Sequence, residues 1–318
     1  MKLTTKQATL IILVVLIALA PLVFPSGFYY RVGALIFVNS IAVIGVVILT
    51  GYAGQVSLGQ AGFAGIGGYA CALAPAHLGL PPAMAVVLGA VIAGVLAFLV
   101  GRPILRLKGY YLGVATLGFG ILVSMLLNNE RELTRGPDGI EVPDLGLRGL
   151  LKDMGLDLSN GQFWYFFCGL CLIAGAWLAL NMHNSSTGRS LRALHDSEVA
   201  AGTMGIDVTR VKLQAFVISS VYASVSGSLL ALQNKFITPD VAGFMHSVEM
   251  VTMAVLGGVN SVLGAILGAA ILTLLPQALT VFADYEQMVL GLIMILVMIF
   301  LPRGLLPSIL RKFRRTGE

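Results

Sequence analysis

Residues that could line a path for a solute are concentrated in two glycine-rich stretches of an otherwise apolar chain, and they are neutral polar residues and glycines. They are Gln55, Ser57, Gln60, Gly257, Gly258, Asn260 and Ser261. Neutral amides and hydroxyls on a glycine-broken backbone are typical of the paths that membrane transport proteins build. We therefore predict that these residues line a translocation pathway. The alternative is that the glycines only let helices pack closely, as the GxxxG spacing of Gly264 and Gly268 would allow.

The sequence contains no recognisable motif for metal binding, redox chemistry or hydrolysis. Cys168 and Cys171 make a CxxC, but they lie in the apolar segment WYFFCGLCLI with no histidine nearby, which favours helix packing. The four histidines are scattered, and no HExxH motif or Ser, His and Asp set is present. The chain also lacks the ATP-binding loop GxxxxGK[ST]. We expect no catalytic residue, metal site or cofactor in this chain, which makes a membrane-embedded enzyme the weakest interpretation.

The composition places the chain in a bilayer. Of its 318 residues, 57% are hydrophobic and 11% are charged, and the mean hydropathy is +0.91. Soluble domains carry about 25% charged residues, so this chain cannot cover a water-exposed surface of normal size. Backbone groups in lipid must be bonded within the chain, which favours helices. The predicted fold is an all-α polytopic membrane protein.

Apolar runs predict about 8–10 transmembrane segments, since each span needs ~20 mainly apolar residues. The runs are 8–24, 33–50, 61–78, 82–100, 110–127, 162–180, 213–232, 247–275 and 287–301. The first also resembles a cleavable signal peptide with an A-x-A pattern before Pro21, although we prefer an uncleaved helix. The run 247–275 is too long for one span and is broken by glycines, Asn260 and Ser261.

Loop charges predict the orientation, because Lys and Arg in short loops stay in the cytoplasm. Fourteen of the 20 basic residues fall in the N-terminus, in 102–108, in 181–212 and in the tail after Leu301. The segment 128–161 has seven acidic and four basic residues, and we predict it to be extracytoplasmic. Both termini are then cytoplasmic, and the run 247–275 must begin and end outside, as two short spans or a re-entrant hairpin.

The predicted spans contain few ionisable residues that could couple transport to an ion gradient. Proton or sodium coupling places ionisable residues within spans, and Glu249 alone clearly qualifies there. If the transport is active, the energy must come from another polypeptide.

The loop 181–212 contains a predicted amphipathic helix over 189–204. Leu191, Leu194 and Val199 alternate there with charged residues, and Gly205 suits a helix C-cap. Three interpretations are open for this helix. It could lie on lipid headgroups, form a solvated loop, or present a knob to a partner protein. The mixture of small and charged residues argues against strong lipid binding.

The segment GRSLRALHDSEVAAGTMGIDVTRVKLQAF in this loop resembles the coupling loop of LivM-type permease subunits from branched-chain amino acid ABC transporters. The E-x-A-A-x-x-x-G core is present as Glu198, Ala200, Ala201 and Gly205. The stretches LTGYAGQVSLGQAGFAGIGGY, LKGYYLGVATLGFGILVSMLLNNERELTRGPDGI and GGVNSVLG agree, so the resemblance covers about 33–306.

The resemblance implies a single transmembrane permease domain, 1–318, in the inner membrane of a bacterium. Its implied partners are a second homologous permease, two ATPase subunits that bind ATP and Mg²⁺, and a periplasmic substrate-binding protein. The coupling loop 181–212 would meet the ATPases through Arg192, Glu198, Ala200, Ala201 and Gly205. The implied cargo is branched-chain amino acids. A stand-alone channel for urea or short-chain amides is the alternative, which explains the polar stretches equally well but not the loop helix.

Overall fold

The computed structural model describes residues 5–22, 24–149 and 158–278, together with positions 288, 291, 292, 295, 304 and 305. Its α-helices are α1 (Thr5–Leu19), α2 (Gly27–Val46), α3 (Gln60–Leu78), α4 (Pro82–Ile104), α5 (Tyr110–Asn129), α6 (Arg131–Thr134), α7 (Asn160–Asn184), α8 (Ser186–Asp196), α9 (Glu198–Thr203), α10 (Val208–Asn234), α11 (Phe244–Gly257) and α12 (Val262–Ala278). A π-helical turn, Val47–Tyr52, extends α2. Two short strands are β1 (Ile140–Glu141) and β2 (Phe236–Ile237).

The predicted all-α polytopic fold is confirmed. Five described helical segments are long and apolar enough to cross a membrane, namely Gly27–Tyr52, Pro82–Ile104, Tyr110–Asn129, Asn160–Asn184 and Val208–Asn234. Shorter apolar helices occupy Thr9–Leu22, Phe244–Gly257 and Val262–Gln277. The predicted run 287–301 lies outside the described residues apart from isolated positions.

Two helices form the centre of the bundle. Most of α2 and α10 is buried, whereas α4 and α5 expose most of their apolar surface. The helix α10 packs against α2, α3 and α4, and α2 also packs against α7 and α12. Small side chains line the buried part of α10, namely Ser219, Ser220, Ser224 and Ser228. Small residues let helix backbones approach closely, which lets α10 contact three neighbours at once.

The first predicted run forms part of this bundle. The helix α1 packs against α7, where the hydroxyl of Tyr165 donates a hydrogen bond to the carbonyl oxygen of Ile17 at 3.0 Å. Leu13 and Ile17 are buried at this contact.

One end of the bundle is closed by a small antiparallel pairing. The strand β1 follows α6 and pairs with β2, which follows α10, in the register Ile140 to Ile237 and Glu141 to Phe236. The ammonium of Lys235 also lies 3.0 Å from a carboxylate oxygen of Asp144. The segment after α5 and the end of α10 are therefore at the same end of the bundle.

The glycine-broken run 247–275 forms a helical hairpin, as its sequence predicts. The helices α11 and α12 pack against each other, and residues 258–261, here called the hairpin tip, join them. Asn39 in α2 donates a hydrogen bond to the hydroxyl of Thr273 in α12 at 2.9 Å. This bond holds the returning helix against the centre of the bundle.

The loop between α7 and α10 folds as two helices, whereas the sequence predicted one helix over 189–204. The helix α8 ends at Asp196, and Ser197 is extended, with φ −162° and ψ 117°. Its hydroxyl accepts a hydrogen bond from the backbone N–H of Ala200 at 3.2 Å. A serine N-cap begins a new helix because its side chain bonds a free N–H of the first turn, and that interrupts the predicted helix. We refer to α8, α9 and the following Met204 together, residues 186–204, as the knob.

Candidate functional site

The chain between the π-helical turn and α3 is not helical. We call residues 53–59 the unwound segment. The backbone N–H of Gln55 bonds the carbonyl of Leu49 at 3.0 Å, and the N–H of Leu58 bonds the hydroxyl of Thr116 in α5 at 3.1 Å. Irregular backbone at membrane depth is tolerated where it is buried in protein or lines a watery cavity. The α5 contact therefore helps to hold this segment among the apolar helices.

Three polar side chains of the predicted pathway are buried beside this segment. Gln55 is 4% exposed, Ser57 is 3% exposed and Gln60 is 1% exposed. Neither the nitrogen nor the oxygen of either glutamine amide has a hydrogen-bond partner among the described residues. Buried amides without partners are costly, so their retention here favours a role with water or a polar solute.

The glycines of the hairpin serve close packing. A Cβ added to Gly257 would lie 2.5 Å from the carbonyl carbon of Gly264 and 3.0 Å from the nitrogen of Gly268. The backbones of α11 and α12 thus touch directly. For Gly257, the structure favours the interpretation that the glycines allow close packing of helices. Gly258 is also buried, at the start of the hairpin tip. The two polar residues predicted for the pathway also lie at the tip. Asn260 is exposed, and Ser261 accepts a hydrogen bond from the N–H of Gly264 at 3.2 Å.

The two glycine-rich stretches lie against each other. A Cβ at Gly51 would lie 2.7 Å from the carbonyl carbon of Val259 and 3.3 Å from the side-chain oxygen of Asn260. The backbone N–H of Ala61 also bonds the hydroxyl of Ser247 at 3.0 Å. The hairpin tip therefore packs on the π-helical turn, and α11 runs beside the start of α3.

The sequence pattern did not indicate Thr116 and Ser247, whose hydroxyls bond the backbone of Leu58 and Ala61, at the α3 end of the unwound segment. Both side chains are buried, at 1% and 1% exposure. Their sequence signal was weak, because a single hydroxyl within an apolar run is common in membrane helices and usually bonds its own helix.

The knob is an amphipathic surface element with defined ends. Leu191, Leu194 and Ala201 are buried beneath it, while Val199 and Met204 are 76% and 83% exposed. The hydroxyl of Ser185 accepts a hydrogen bond from the N–H of Gly188 and caps α8. The exposed apolar side chains stand on the face that points away from the bundle.

The predicted helix end at Gly205 is confirmed. Gly205 has φ +81°, and its N–H bonds the carbonyl of Gly202 at 3.0 Å. The N–H of Ile206 bonds the carbonyl of Ala201 at 3.1 Å. These two bonds form a Schellman motif, in which a left-handed residue ends a helix and glycine has the lowest steric cost.

Two charged residues of the knob bind the bundle. Arg192 donates from Nη1 to the carbonyl of His183, at the end of α7, at 2.8 Å. Glu198 forms an ion pair with Lys212 in α10. Of the other predicted coupling residues, Ala201 is buried and Ala200 is exposed.

The knob also contacts the unwound segment. The helix α8 packs against the π-helical turn. A Cβ at Gly54 would lie 3.0 Å from Nδ1 of His195, so the imidazole of His195 covers Gly54. The ring of Tyr52 lies 4.8 Å from the ring of His183. The knob, the start of the unwound segment and the hairpin tip thus meet at one end of the bundle, opposite the paired strands.

Membrane-length helices around a buried, broken segment define this chain as a multi-pass membrane protein. It belongs to the family of permease components of branched-chain amino acid transport systems, whose family model matches residues 29–298. The chain is thus a permease subunit and is not itself catalytic.

Individual relatives agree with the family. The high-affinity branched-chain amino acid transport system permease proteins LivM of Salmonella typhimurium and Escherichia coli are each 32% identical to this chain over 96% of it and 76% of their own length. The permease protein LivH of Salmonella typhimurium is 28% identical over 64% of this chain and 66% of its own length. No solved structure gives a significant match.

Proposed function

We propose that this chain is a membrane subunit of an ATP-driven importer for branched-chain amino acids. Its partners are a second, homologous permease, two ATPase subunits and a periplasmic binding protein. Family membership supports the cargo, since the relatives are named as branched-chain amino acid permeases. The presence of both LivM and LivH among the relatives supports a paired permease.

One contact carries the mechanism, namely the packing of His195 on Gly54. It joins the knob to the unwound segment one residue before Gln55. The ATPases bind ATP and Mg²⁺ and dock on the exposed face of the knob, where Val199 and Met204 provide apolar contact area. Closure of the ATPase pair displaces the knob, and the displacement reaches the unwound segment directly.

The polar side chains of the unwound segment and of the first residue of α3 fit the transit of a zwitterion. Gln55, Ser57 and Gln60 offer neutral donors and acceptors that can meet a carboxylate or an ammonium group in turn. Because none of the three is charged, the contact is weak, and a solute can leave as readily as it enters. Specificity then rests mainly with the binding protein, which delivers its ligand at the end that carries β1 and β2. That end faces the periplasm, and the knob and both termini lie on the cytoplasmic side of the inner membrane.

A channel for urea or short-chain amides is the second candidate. The unpartnered amides of Gln55 and Gln60 favour it, because amide groups pair well with amide solutes. The capped knob, with its exposed Val199 and Met204, is unexplained by a stand-alone channel.

Reconstitution in proteoliposomes separates the two functions. We expect leucine uptake that requires ATP, the ATPases and the binding protein, and no leucine or urea flux through this chain alone. Gln60→Leu should lower the leucine uptake rate about tenfold, the equivalent of one hydrogen bond of ~1.4 kcal/mol. Gln214→Leu, which changes an exposed amide on α10, is the matched control. Solute flux through the chain alone without ATP would instead establish the channel.

A further inference from the structure

The ion pair between Glu198 and Lys212 joins the knob to the core of the bundle. Glu198 begins α9, and Lys212 is the fifth residue of α10. The Lys212 side chain is only 5% exposed, whereas Glu198 is 37% exposed. The lysine is therefore the buried partner, and the carboxylate reaches it from the surface.

Lys212 depends on this carboxylate. A buried ammonium without an opposite charge is strongly unfavourable. Among the residues that the structure describes, Glu198 supplies the one carboxylate within ion-pair distance of Lys212. Asp196 belongs to the same knob but makes no ion pair with any of the described residues.

Both helices of the knob pack against α10, but their charged side chains bond different elements. Arg192 ties α8 to the end of α7, through the carbonyl of His183. Glu198 ties α9 to α10, which packs against α2, α3 and α4. Ser197 separates the two helices with extended backbone, and the hydrogen bond of Arg192 does not involve α9, whose own charged contact is the pair of Glu198 with Lys212.

We propose that Glu198 is a positioning residue that acts inside this chain. Its pair with Lys212 latches α9 to α10, so that a force on the exposed face of the knob moves α10 as well as the unwound segment. Glu198 then does not serve as a contact to the ATPase, and that contact falls to Val199, Ala200 and Met204. This inference rests on the proposed function.

The first test measures leucine molecules imported per ATP hydrolysed by the reconstituted transporter. We expect Glu198→Gln and Lys212→Met each to lower this ratio about fivefold or more, the low end of coupling between distant sites. The exchanged pair E198K/K212E should recover most of the ratio. Asp196→Asn, the same chemical change two residues away on the knob, should lower the ratio by less than either of these variants.

We call the Glu198–Lys212 pair that holds α9 against α10 the latch, and three results would overturn it. A loss with Glu198→Gln but not with Lys212→Met would mean that Glu198 acts on a partner. Failure of the exchanged pair to recover the ratio, in protein that still inserts and hydrolyses ATP, would also reject it. An equal loss with Asp196→Asn would assign the effect to the overall charge of the knob.

A second test does not depend on transport. Spin labels at Val199→Cys and Gln214→Cys, both exposed, report the distance between α9 and α10 in the full chain in lipid nanodiscs, with the three native cysteines replaced. We expect a narrow distribution that broadens in Glu198→Gln and Lys212→Met and narrows again in the exchanged pair. An unchanged distribution in the single variants would overturn the latch, whereas absent ATP-driven uptake by unmodified protein with a narrow distribution would overturn the proposed function alone.

Discussion

Replacing Gly257 with alanine should separate the two helices of the hairpin. The new Cβ would lie 2.5 Å from the carbonyl carbon of Gly264, whereas carbon atoms in contact lie about 3.5–4.0 Å apart. The three nearest atoms belong to the backbone, so no side chain can rotate away, and α11 and α12 must part by about 1 Å. Overpacking of this kind costs about 1–3 kcal/mol. We expect the apparent melting temperature in detergent to fall by about 2–8 °C.

Gly118→Ala in α5 is the matched control, because no atom lies within 4 Å of a Cβ at that position. There alanine only improves helix propensity, by up to ~1 kcal/mol, and the melting temperature should hold or rise. The same thermal scan, followed by fluorescence of the purified chain, compares both variants with the unmodified protein. A melting temperature for Gly257→Ala equal to that of the unmodified chain would refute the close contact between α11 and α12.

Two further predictions concern the knob. Gly205→Ala should reduce ATP-coupled leucine uptake several-fold, because an alanine at φ +81° costs about 1–2 kcal/mol and misaligns the end of α9. Gly79→Ala carries a comparable strain at φ +63°, at the end of α3 and outside the knob, and equal uptake defects in the two variants would contradict a specific role. A cysteine at Val199 should react with a membrane-impermeant maleimide only from the cytoplasmic side in vesicles of known orientation. Labelling from the opposite face would invert the proposed topology.

Several features of the fold could be predicted from the sequence because they depend on neighbours along the chain. Apolar runs of membrane length predicted the spans, since a bilayer demands ~20 such residues irrespective of what packs beside them. The hairpin was foreseen because the run 247–275 is too long for one span and contains glycines. The turn at Gly205 was foreseen because left-handed backbone favours glycine wherever a helix ends.

One local prediction was incomplete because the same residue type permits two local structures. The knob was expected to be one helix over 189–204, and the structure has two. Ser197 stands between them, and its hydroxyl bonds a backbone N–H three residues later. A serine within a helix-forming stretch can either continue the helix or cap a new one, and local propensity does not distinguish these outcomes.

The tertiary structure alone decided which distant groups meet. Nothing along the chain indicates that Glu198 pairs with Lys212, that His195 covers Gly54, or that the amide of Gln60 is buried without a partner among the described residues. The sequence determined which segments enter the bilayer and where their helices end, because those outcomes follow from transfer free energy and backbone geometry over a few turns. Side-chain partners across helices depend on the packing angles and depths of whole elements, which arise only when all the helices pack together.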